Sequence, residues 1–234
     1  MRLDICIPAH NEAPIIVESV RELQEALAAL PGADARIIVA DNASSDGTGD
    51  AIRALNLPHV QVLTVPAKGK GAAVITAARA SDADYFGFID ADLSAHPRHL
   101  HQLIQQVMRG AAIAIGSRLH PGAVIDRSLP RTATSRAFNL LRRLIVGVPV
   151  LDSQCGIKVT DARGLAHLRA CEETGWFFEI EWLRRAELAG LPIKEVPISW
   201  EEFRYKGRAS KLKVITDGCA AIAAFFRIRK RLGT

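Results

Sequence analysis

The stretch 84–92, DYFGFIDAD, decides the fold, because it places a short apolar run directly before two carboxylates. The run Tyr85 to Ile89 is typical of a buried strand, and Asp90 and Asp92 follow where that strand would end. Hard cations such as Mg²⁺ and Mn²⁺ commonly bind one or two carboxylates together with substrate phosphates. The two aspartates are therefore candidate metal ligands. The alternative is that Asp92 and Ser94 only begin the next helix.

Three similar units precede this stretch. The apolar runs LDICIPA, ARIIVAD and VQVLTVP are each followed by polar residues and a segment with helical spacing. Continuous β-branched runs that alternate with helices indicate parallel strands covered on both faces. In such a doubly wound sheet, ligands bind beyond the carboxyl ends of the strands. We therefore predict an α/β fold with a Rossmann-like, mostly parallel sheet, helices on both faces and a functional site along one edge.

The second half of the chain is less regular. It offers the predicted strands AAIAIGSR, LDSQCGIKV and IKEVPISW and the predicted helices TSRAFNLLRRLIVG and EIEWLRRAELAG. A basic amphipathic helix over about 210–232 closes the chain. Without an internal repeat, low-complexity stretch or linker, residues 1–234 are predicted to form a single domain.

Composition restricts the class of protein. The 234 residues are 49% apolar and 24% charged, a balance typical of a folded globular chain. The four cysteines are far apart, which predicts reduced thiols in a cytosolic protein. We expect neither a signal peptide nor a spanning helix. The net charge of +5 is modest, and the basic residues do not form a nucleic-acid-reading motif, so we expect no nucleic-acid partner.

Polar groups also follow the second and third predicted strands. In DNASSDGT, Asp41 could accept hydrogen bonds from a ribose hydroxyl or a base N–H, and Asp46 could do the same or cap a turn. KGKGAA resembles a phosphate cradle at a helix N-terminus, where Lys68 and Lys70 would neutralise a diphosphate or simply be surface charges. The chain lacks a Walker motif and a GxGxxG after the first strand, which argues against a nicotinamide oxidoreductase.

Further candidate functional residues come from the second half. Arg118, Arg131 and Arg136 are candidate anion-binding residues, the alternative being solvated surface arginines, and Asp152 could orient an arginine or act as a base. The three histidines of HPRHLH, in residues 96–101, lack the further ligands of a zinc site. We expect them to be exposed helix residues.

Basic residues concentrate in the segments 127–143 and 227–231. Both segments adjoin apolar residues at helical spacing: Phe138, Leu141, Leu144 and Ile145 near Arg136, Arg142 and Arg143, and Leu212, Ile215, Cys219, Ile222 and Phe226 before the final basic run. Each Lys or Arg near an anionic leaflet contributes about 1 kcal/mol, and apolar helix faces insert into the interface. We expect a membrane surface here, the alternatives being a core or dimer contact.

Eight motifs in order resemble the family 2 glycosyltransferases of GT-A fold: IPAHNEA, ADNASSDGT, KGKGAAV, FIDADLS, IGSR, LDSQCGIKV, FFEIEWL, and EVPISW with ASK. The resemblance runs from about Ile5 to Lys211 and is closest to the branch that makes dolichyl- or polyprenyl-phosphate-linked glucose and mannose. It implies a Rossmann-like sheet with one mixed edge and a nucleotide-sugar donor. Departures are Asn42 and Glu179, each where the family usually has Asp, and AKGKG, which lacks the common Asn before the lysine.

The resemblance also implies roles for matching positions on the donor side. The donor would be surrounded by Pro8, Glu12, Asp41, Asp46, Lys68, Lys70, Asp90 and Ala91. Asp90 and Asp92 would hold Mg²⁺ or Mn²⁺.

On the acceptor side, the resemblance implies contacts from Arg118, Arg131, Ser135, Ser210 and Lys211, the last two on a loop that closes over the site. Asp152, with Arg118 and Arg131, would stand at the reaction centre.

The nature of the acceptor follows from its nucleophile. A sugar hydroxyl needs a general base, whereas a phosphate monoester has a second pKa of about 6 and is largely dianionic at neutral pH. We therefore expect polyprenyl phosphate as the acceptor. The resemblance implies an inverting transfer of a hexose from a nucleotide sugar, for which we expect glucose and a UDP-sugar rather than a GDP-sugar. The alternative is the same donor with a soluble or saccharide hydroxyl acceptor. We expect a cytoplasmic enzyme, peripheral on the inner face of the membrane, as a homo-oligomer or with a separate membrane partner.

Overall fold

The computed structural model describes the backbone of residues 1–126, 129–201 and 214–233 and the side chains of 1–125, 138–201 and 220–233. The central feature is a seven-stranded sheet with the order β3-β2-β1-β4-β7-β5-β8. Its strands are β1 (Arg2–Ala9), β2 (Asp34–Asn42), β3 (Val60–Val65), β4 (Tyr85–Ile89), β5 (Ile113–Ser117), β7 (Ile157–Asp161) and β8 (Ile193–Pro197). The prediction of a mostly parallel, mixed α/β sheet is confirmed.

The mixed part of the sheet lies on one side, as the resemblance implies. Strand β7 runs antiparallel to both β4 and β5, and β8 is parallel to β5. The reversed strand therefore lies inside the sheet rather than at its outer strand. As a result, the turn that precedes β7 reaches the same edge as the carboxyl ends of β4 and β5.

Helices cover both faces of the sheet. They are α1 (Ile16–Ala28), α2 (Thr48–Arg53), α3 (Lys70–Ala80), α4 (His99–Met108), α5 (Leu129–Val146), α6 (Ala162–Arg169), α7 (Phe178–Leu188) and α8 (Val214–Leu232). Residues of α1, α2 and α4 form one apolar cluster with the sheet, and residues of α3, α5, α6, α7 and α8 form the other. Alternate strand residues feed the two clusters, as Cys6 and Ile7 of β1 show.

Three elements were not foreseen: helix α6 and the short strands β6 (Val124–Asp126) and β9 (Ser199–Glu201). Helix α6 begins where the Asp161 carboxylate accepts hydrogen bonds from the backbone N–H groups of Arg163 and Gly164 at 2.9 and 3.1 Å. The predicted strand 193–200 divides into β8 and β9, and β9 pairs in parallel with β6. Strand β9 is also joined by a bridge between Trp200 and Ala95, so that it covers the segment after Asp92.

Helices α5 and α8 pack together through aromatic rings. The ring centroids of Phe138 and Phe225 are 5.4 Å apart, and both rings contact Phe177. The predicted apolar face of α5 is therefore divided: Phe138 packs inward, whereas Leu144 is 70% exposed.

The expectation for Arg142 is wrong. Its side chain is only 1% exposed and donates hydrogen bonds of 2.5 Å to the carbonyl oxygens of Val148 and Val150. These carbonyls follow the end of α5, where Gly147 adopts φ 85°. Arg142 thus fixes the chain after the helix and does not face the surface. No helix in the described part of the chain is both long and apolar enough to cross a bilayer.

The tight packing of β4 between β1 and β7 generates a stability prediction. Gly87→Ala is expected to lower the free energy of unfolding by about 1–3 kcal/mol. A Cβ at Gly87 would lie 2.7 Å from the Lys158 carbonyl oxygen and 2.8 Å from Ile5 Cδ1. This crowding outweighs the roughly 0.4–1 kcal/mol gained by restricting the unfolded chain. Chemical denaturation measures the difference.

Gly122→Ala is the matched control for this measurement. The nearest atom to a Cβ at Gly122, on Pro197, is 3.4 Å away, an ordinary contact. Its free energy of unfolding should remain close to that of the parent. Equal stability of the Gly87 and Gly122 variants would contradict the predicted crowding at β4.

Candidate active site

The candidate site lies at the edge where the parallel strands end. The register pairs Ala9 of β1 with Asp41 of β2, and Ile89 of β4 with Ile157 at the start of β7. Asp90 follows β4 directly. Polar residues from the first and second halves of the sequence thus meet along one edge, as expected for an open parallel sheet.

Asp90 is held from several sides. Its carboxylate Oδ1 lies 2.7 Å from the ammonium of Lys70, and its backbone N–H donates to the Gly156 carbonyl at 2.9 Å. Its side chain lies directly against Gly156, since a Cβ there would be 2.0 Å from Asp90 Oδ2. Asp92 Oδ1 accepts a hydrogen bond from the Ser94 N–H, so this carboxylate also takes part in the turn.

Lys70 belongs to a buried network of charges. Its ammonium also contacts Glu179 Oε1 at 3.0 Å, and the other Glu179 oxygen accepts from Lys158. Both ammonium groups lie 5.2 Å from the ring centroid of Phe88. Burial would lower the pKa of Lys70, but the carboxylates of Asp90 and Glu179 outweigh it and raise that pKa above its ordinary value. Lys70 is therefore charged at neutral pH.

The donor set at this point fits a hard divalent cation. Among the described residues no group of three or more His, Cys, Asp or Glu side chains could enclose a metal. Asp90 and Asp92 offer carboxylate oxygens only, and the Asp90 side chain is 30% exposed. Two carboxylates suit a cation that completes its coordination with diphosphate oxygens and water. The residues present therefore fit Mg²⁺ or Mn²⁺ bound together with a nucleoside diphosphate.

The residues predicted to surround the nucleoside lie on two neighbouring loops. Asp46 accepts from the Ala13 N–H at 3.0 Å and from both the N–H and the hydroxyl of Thr48. The Glu12 N–H donates to that same hydroxyl oxygen at 2.9 Å. Partial burial would raise the pKa of Asp46, but these hydrogen bonds outweigh it and lower that pKa. Asp46 thus joins the loops that contain Ala13 and Thr48. Asp41 is 9% exposed, and its carboxylate lies against Gly49 of α2.

Asn42 tethers the loop after β3. Its amide oxygen accepts from the Gly69 N–H at 2.8 Å, and its amide nitrogen donates to the Ala67 carbonyl. Aspartate, which is usual here in the family, could accept from the loop but could not donate to a carbonyl. The departure noted in the sequence therefore has a structural role in this chain.

The backbone at the start of α3 does not form an open phosphate cradle. The N–H groups of Gly71 and Ala72 donate to the carbonyl oxygens of Gly175 and Thr174 at 3.1 and 2.8 Å. Gly69 leaves room for this approach, because a Cβ there would lie 2.2 Å from the Thr174 oxygen. The segment before α7 thus occupies the donors that a phosphate would need.

The two residues predicted on the acceptor side, Arg118 and Asp152, form a buried ion pair. Arg118 Nε and Nη2 face the two carboxylate oxygens of Asp152 at 2.7 and 2.8 Å, and the Arg118 backbone N–H donates to the same carboxylate. The Asp152 side chain has no exposed surface. Burial would raise the pKa of Asp152, but the charge and hydrogen bonds of Arg118 outweigh it and lower that pKa. The Trp200 ring covers the guanidinium, with its centroid 4.7 Å from Arg118 Cζ.

Glu195 of β8 holds the backbone of the segment that contains Asp152. Its carboxylate accepts from the N–H groups of Leu151 and Asp152 at 2.7 and 3.1 Å. Lys158 also lies close enough to Asp152 to lower the pKa of that carboxyl. The Arg118–Asp152 pair and the buried network around Glu179 are therefore electrostatically connected.

The remaining predicted residues are placed as follows. Pro8 is half-buried near the end of β1, Ala91 is buried and its carbonyl accepts from the Ser19 hydroxyl, and Lys68 is exposed. The side chains of Arg131 and Ser135, and all of Ser210 and Lys211, lie outside the described residues.

The expectation that all three histidines are exposed is wrong for His99. It is 8% exposed, and its Nε2 accepts from the Ser199 N–H at 3.0 Å. Burial lowers the pKa of His99. Since Ser199 begins β9, this histidine anchors the strand that contains Trp200.

Three charged residues of the site escaped the sequence analysis as functional candidates: Lys158, Glu179 and Glu195. A signal existed for two of them. Lys158 is the single charge in the apolar strand motif GIKVT, and Glu195 follows Lys194 in the strand motif IKEVP; an ionised group that is buried in a strand needs a partner.

Known proteins resemble the chain over most of its length. The family model described as glycosyl transferase family 2 matches residues 4–166. Glycosyltransferase AglD of Haloferax volcanii is 34% identical over 207 residues, a match that covers 86% of this chain and 33% of that protein. The chain thus spans about a third of AglD.

Two further relatives are covered more fully. The undecaprenyl-phosphate mannosyltransferase of Micrococcus luteus is 33% identical, with 86% of this chain and 84% of that protein covered. The dolichyl-phosphate beta-glucosyltransferase of Drosophila melanogaster is 31% identical, with 86% and 68% covered.

Among solved structures, glucosyl-3-phosphoglycerate synthase from Mycobacterium tuberculosis, with Mn²⁺, UDP-glucose and phosphoglyceric acid, superposes with a TM-score of 0.71 at 22% identity. The match covers 99% of this chain and 80% of that one and confirms the GT-A fold. Together with the strand-edge carboxylates, these similarities show that the chain belongs to glycosyl transferase family 2, related to its dolichyl- and polyprenyl-phosphate hexosyltransferases.

Proposed function

We propose that the protein transfers a hexose, with inversion, from a nucleotide sugar to polyprenyl phosphate at a membrane surface, using Mg²⁺ or Mn²⁺. Glucose and a UDP-sugar are the favoured donor choices. Similarity to the dolichyl-phosphate beta-glucosyltransferase of Drosophila melanogaster supports both the glucosyl group and the lipid phosphate. The structural neighbour that holds Mn²⁺ together with UDP-glucose supports a divalent metal.

The observation that carries the proposal is the state of Asp152. A general base must reach the proton that it removes, yet this carboxylate has no exposed surface and both of its oxygens face Arg118. Its lowered pKa also makes it a weak base at neutral pH. A hydroxyl acceptor would find no help from Asp152 in this arrangement. A phosphate dianion needs none.

Arg118 is suited to position such a phosphate. Burial would lower the pKa of Arg118, but the nearby Asp152 carboxylate outweighs that effect and raises the pKa above its ordinary value. The guanidinium therefore remains charged. Nε and Nη2 are directed at Asp152, and no hydrogen bond to Nη1 is found within the described residues. The guanidinium fork binds phosphate with defined geometry. Asp152 and the Trp200 ring fix the plane of that fork.

On the donor side, Asp90 and Asp92 would hold the cation, and Lys70 would stand beside it. A divalent cation, when bound, stabilises the negative charge that develops on a departing nucleoside diphosphate. Asp41 and the loops joined by Asp46 would surround the nucleoside.

A membrane surface fits the exposed sides of α5 and α8. Leu140, Leu141 and Leu144 of α5 and Ile222 and Phe226 of α8 are 41–70% exposed. The two helices pack against each other through Phe138 and Phe225. Part of the terminal basic run serves another purpose, because Arg231 donates to the buried carboxylate of Glu181 at 2.8 Å. Apolar insertion therefore contributes more to the proposed membrane contact than charge alone.

The proposed metal site predicts a loss of activity in Asp92→Asn. Transfer of labelled sugar from UDP-glucose to polyprenyl phosphate with Mn²⁺ should fall by about a hundredfold or more, since an amide is a weaker ligand for a hard cation. GDP-mannose is assayed in parallel. Asp82→Asn, a surface aspartate that is 79% exposed, is the control and should keep full activity. Undiminished transfer in Asp92→Asn would contradict the metal assignment.

The identity of the nucleophile predicts the pH dependence. With polyprenyl phosphate, kcat/KM for the acceptor should rise with pH through about 6, where the phosphate loses its second proton. An alkylphosphonate analogue, whose second pKa is higher, should move this rising limb of the pH profile to higher pH. Asp152→Asn should lower the rate, because Arg118 loses its charged partner, without moving the limb.

If the rising limb of the pH profile stays at the same pH with the phosphonate, the titrating group belongs to the enzyme and not to the acceptor. Such a result, together with transfer to a saccharide hydroxyl, would favour the alternative acceptor and return Asp152 to the role of a base.

The proposed membrane surface predicts weaker vesicle binding in Leu144→Glu and Phe226→Glu. Each substitution removes one apolar side chain from the interface, which should lower partitioning into anionic phospholipid vesicles by about tenfold or more. Met108→Glu is the matched control, because Met108 is 62% exposed but lies on α4. Sedimentation with vesicles measures the bound fraction. Equal losses in all three variants would show a general charge effect and no specific surface.

A further inference from the structure

We propose that Glu179 and Lys158 are positioning residues for Asp90 and act on it through Lys70. The inference rests on the proposed function in one respect: Asp90 is taken as a ligand of the divalent cation. Neither Glu179 nor Lys158 would touch the metal or the substrate. Their effect would be on the place and orientation of the Asp90 carboxylate.

The contacts form a continuous chain. Lys158 donates to one oxygen of Glu179, the other oxygen lies 3.0 Å from the Lys70 ammonium, and Lys70 in turn lies 2.7 Å from Asp90 Oδ1. The first two members are almost inaccessible, with side-chain exposures of 0% for Lys158 and 1% for Glu179. Only the last member, Asp90, reaches solvent to an appreciable extent.

Charge balance makes this geometry stiff. Two ammonium groups and two carboxylates alternate along the chain, so that each buried charge is paired. A buried charge without a partner is strongly destabilising. Lys70 is therefore shared between Glu179 and Asp90. If Glu179 lost its charge, Lys70 would have only Asp90 as a partner and would compete more strongly with a metal ion.

Lys158 also braces Asp90 from its other side. Its ammonium donates to the Cys155 carbonyl at 2.6 Å, immediately before Gly156. Gly156 in turn accepts from the Asp90 N–H and lies against the Asp90 side chain. One ammonium group thus holds both the segment behind Asp90 and, through Glu179 and Lys70, the carboxylate itself.

The alternative is that the buried network only stabilises the fold. Buried ion pairs are poor stabilisers compared with apolar residues of similar volume. Supporting groups of this kind typically change metal affinity by about 10- to 100-fold when they are replaced. The two interpretations therefore differ in metal affinity, which can be measured on the folded fraction.

The experiment measures the dissociation constant of Mn²⁺ in the presence of saturating UDP, by electron paramagnetic resonance of free Mn²⁺. The variants are Glu179→Gln and Lys158→Met. Glu181→Gln is the matched control, since Glu181 lies two residues further in the same helix, is fully buried and pairs with Arg185 and Arg231 instead. Thermal unfolding gives the folded fraction of each variant.

We expect both test variants to weaken Mn²⁺ binding by about 10- to 100-fold and the control to leave it unchanged. Lys158→Met decides between positioning and plain charge. Removal of a nearby positive charge should by itself strengthen the binding of a cation, whereas loss of positioning weakens it. Unchanged or tighter Mn²⁺ binding in folded Lys158→Met would overturn the inference.

A variant that does not fold is replaced by Glu179→Asp, which keeps the charge but shortens the reach. Weaker Mn²⁺ binding in that variant upholds the inference, and unchanged binding overturns it. If the parent protein with UDP binds no Mn²⁺, the proposed function fails, and this inference fails with it. If instead the parent binds Mn²⁺ tightly and no variant alters that binding, only this inference fails and the proposed function stands.

Discussion

The Glu179 carboxylate, placed between two buried ammonium groups, is the interaction on which the site depends. Lys70 comes from α3, Lys158 from β7 and Glu179 from α7, so that one carboxylate joins three elements separated in sequence. Ionised groups are taken out of water at high cost unless they are paired. The arrangement therefore restricts how α3 and α7 can sit on this side of the sheet, and it directs Lys70 toward Asp90.

The reversal of β7 explains why the two halves of the site meet. A parallel strand in this place would deliver its carboxyl end to the edge and its preceding turn to the opposite edge. Because β7 runs the other way, the turn before it, with Asp152 and Gly156, arrives beside the ends of β4 and β5. Asp152 then meets Arg118, which follows β5, and Gly156 meets Asp90, which follows β4. The reversed direction of β7 thus accounts for both contacts, Asp152 with Arg118 and Gly156 with Asp90.

The first half of the fold could be predicted because its signals are local. Apolar runs, turn residues and helical spacing in residues 1–100 indicate strands and helices without reference to the rest of the chain, and Asp90 lies where the strand end placed it. The partners of the buried charges could not be predicted in this way. Helical spacing placed Arg142 on a surface, but the carbonyl groups of Val148 and Val150 offered it partners inside. His99 was likewise decided by Ser199, a residue one hundred positions away.

The pairing of Arg118 with Asp152 also bears on the charge of the acceptor. An unpaired arginine would attract any anion, including the departing nucleoside diphosphate, whereas a paired one presents a nearly neutral unit with a fixed direction. Such a unit gives little long-range attraction, and it holds a dianion chiefly through directed hydrogen bonds. The lowered pKa of Asp152 keeps the pair intact at all pH values above the ordinary range of a carboxyl group. Any pH dependence of transfer near neutrality must then come from the acceptor or from groups other than this pair, which is why an acceptor with a different pKa discriminates between the two mechanisms.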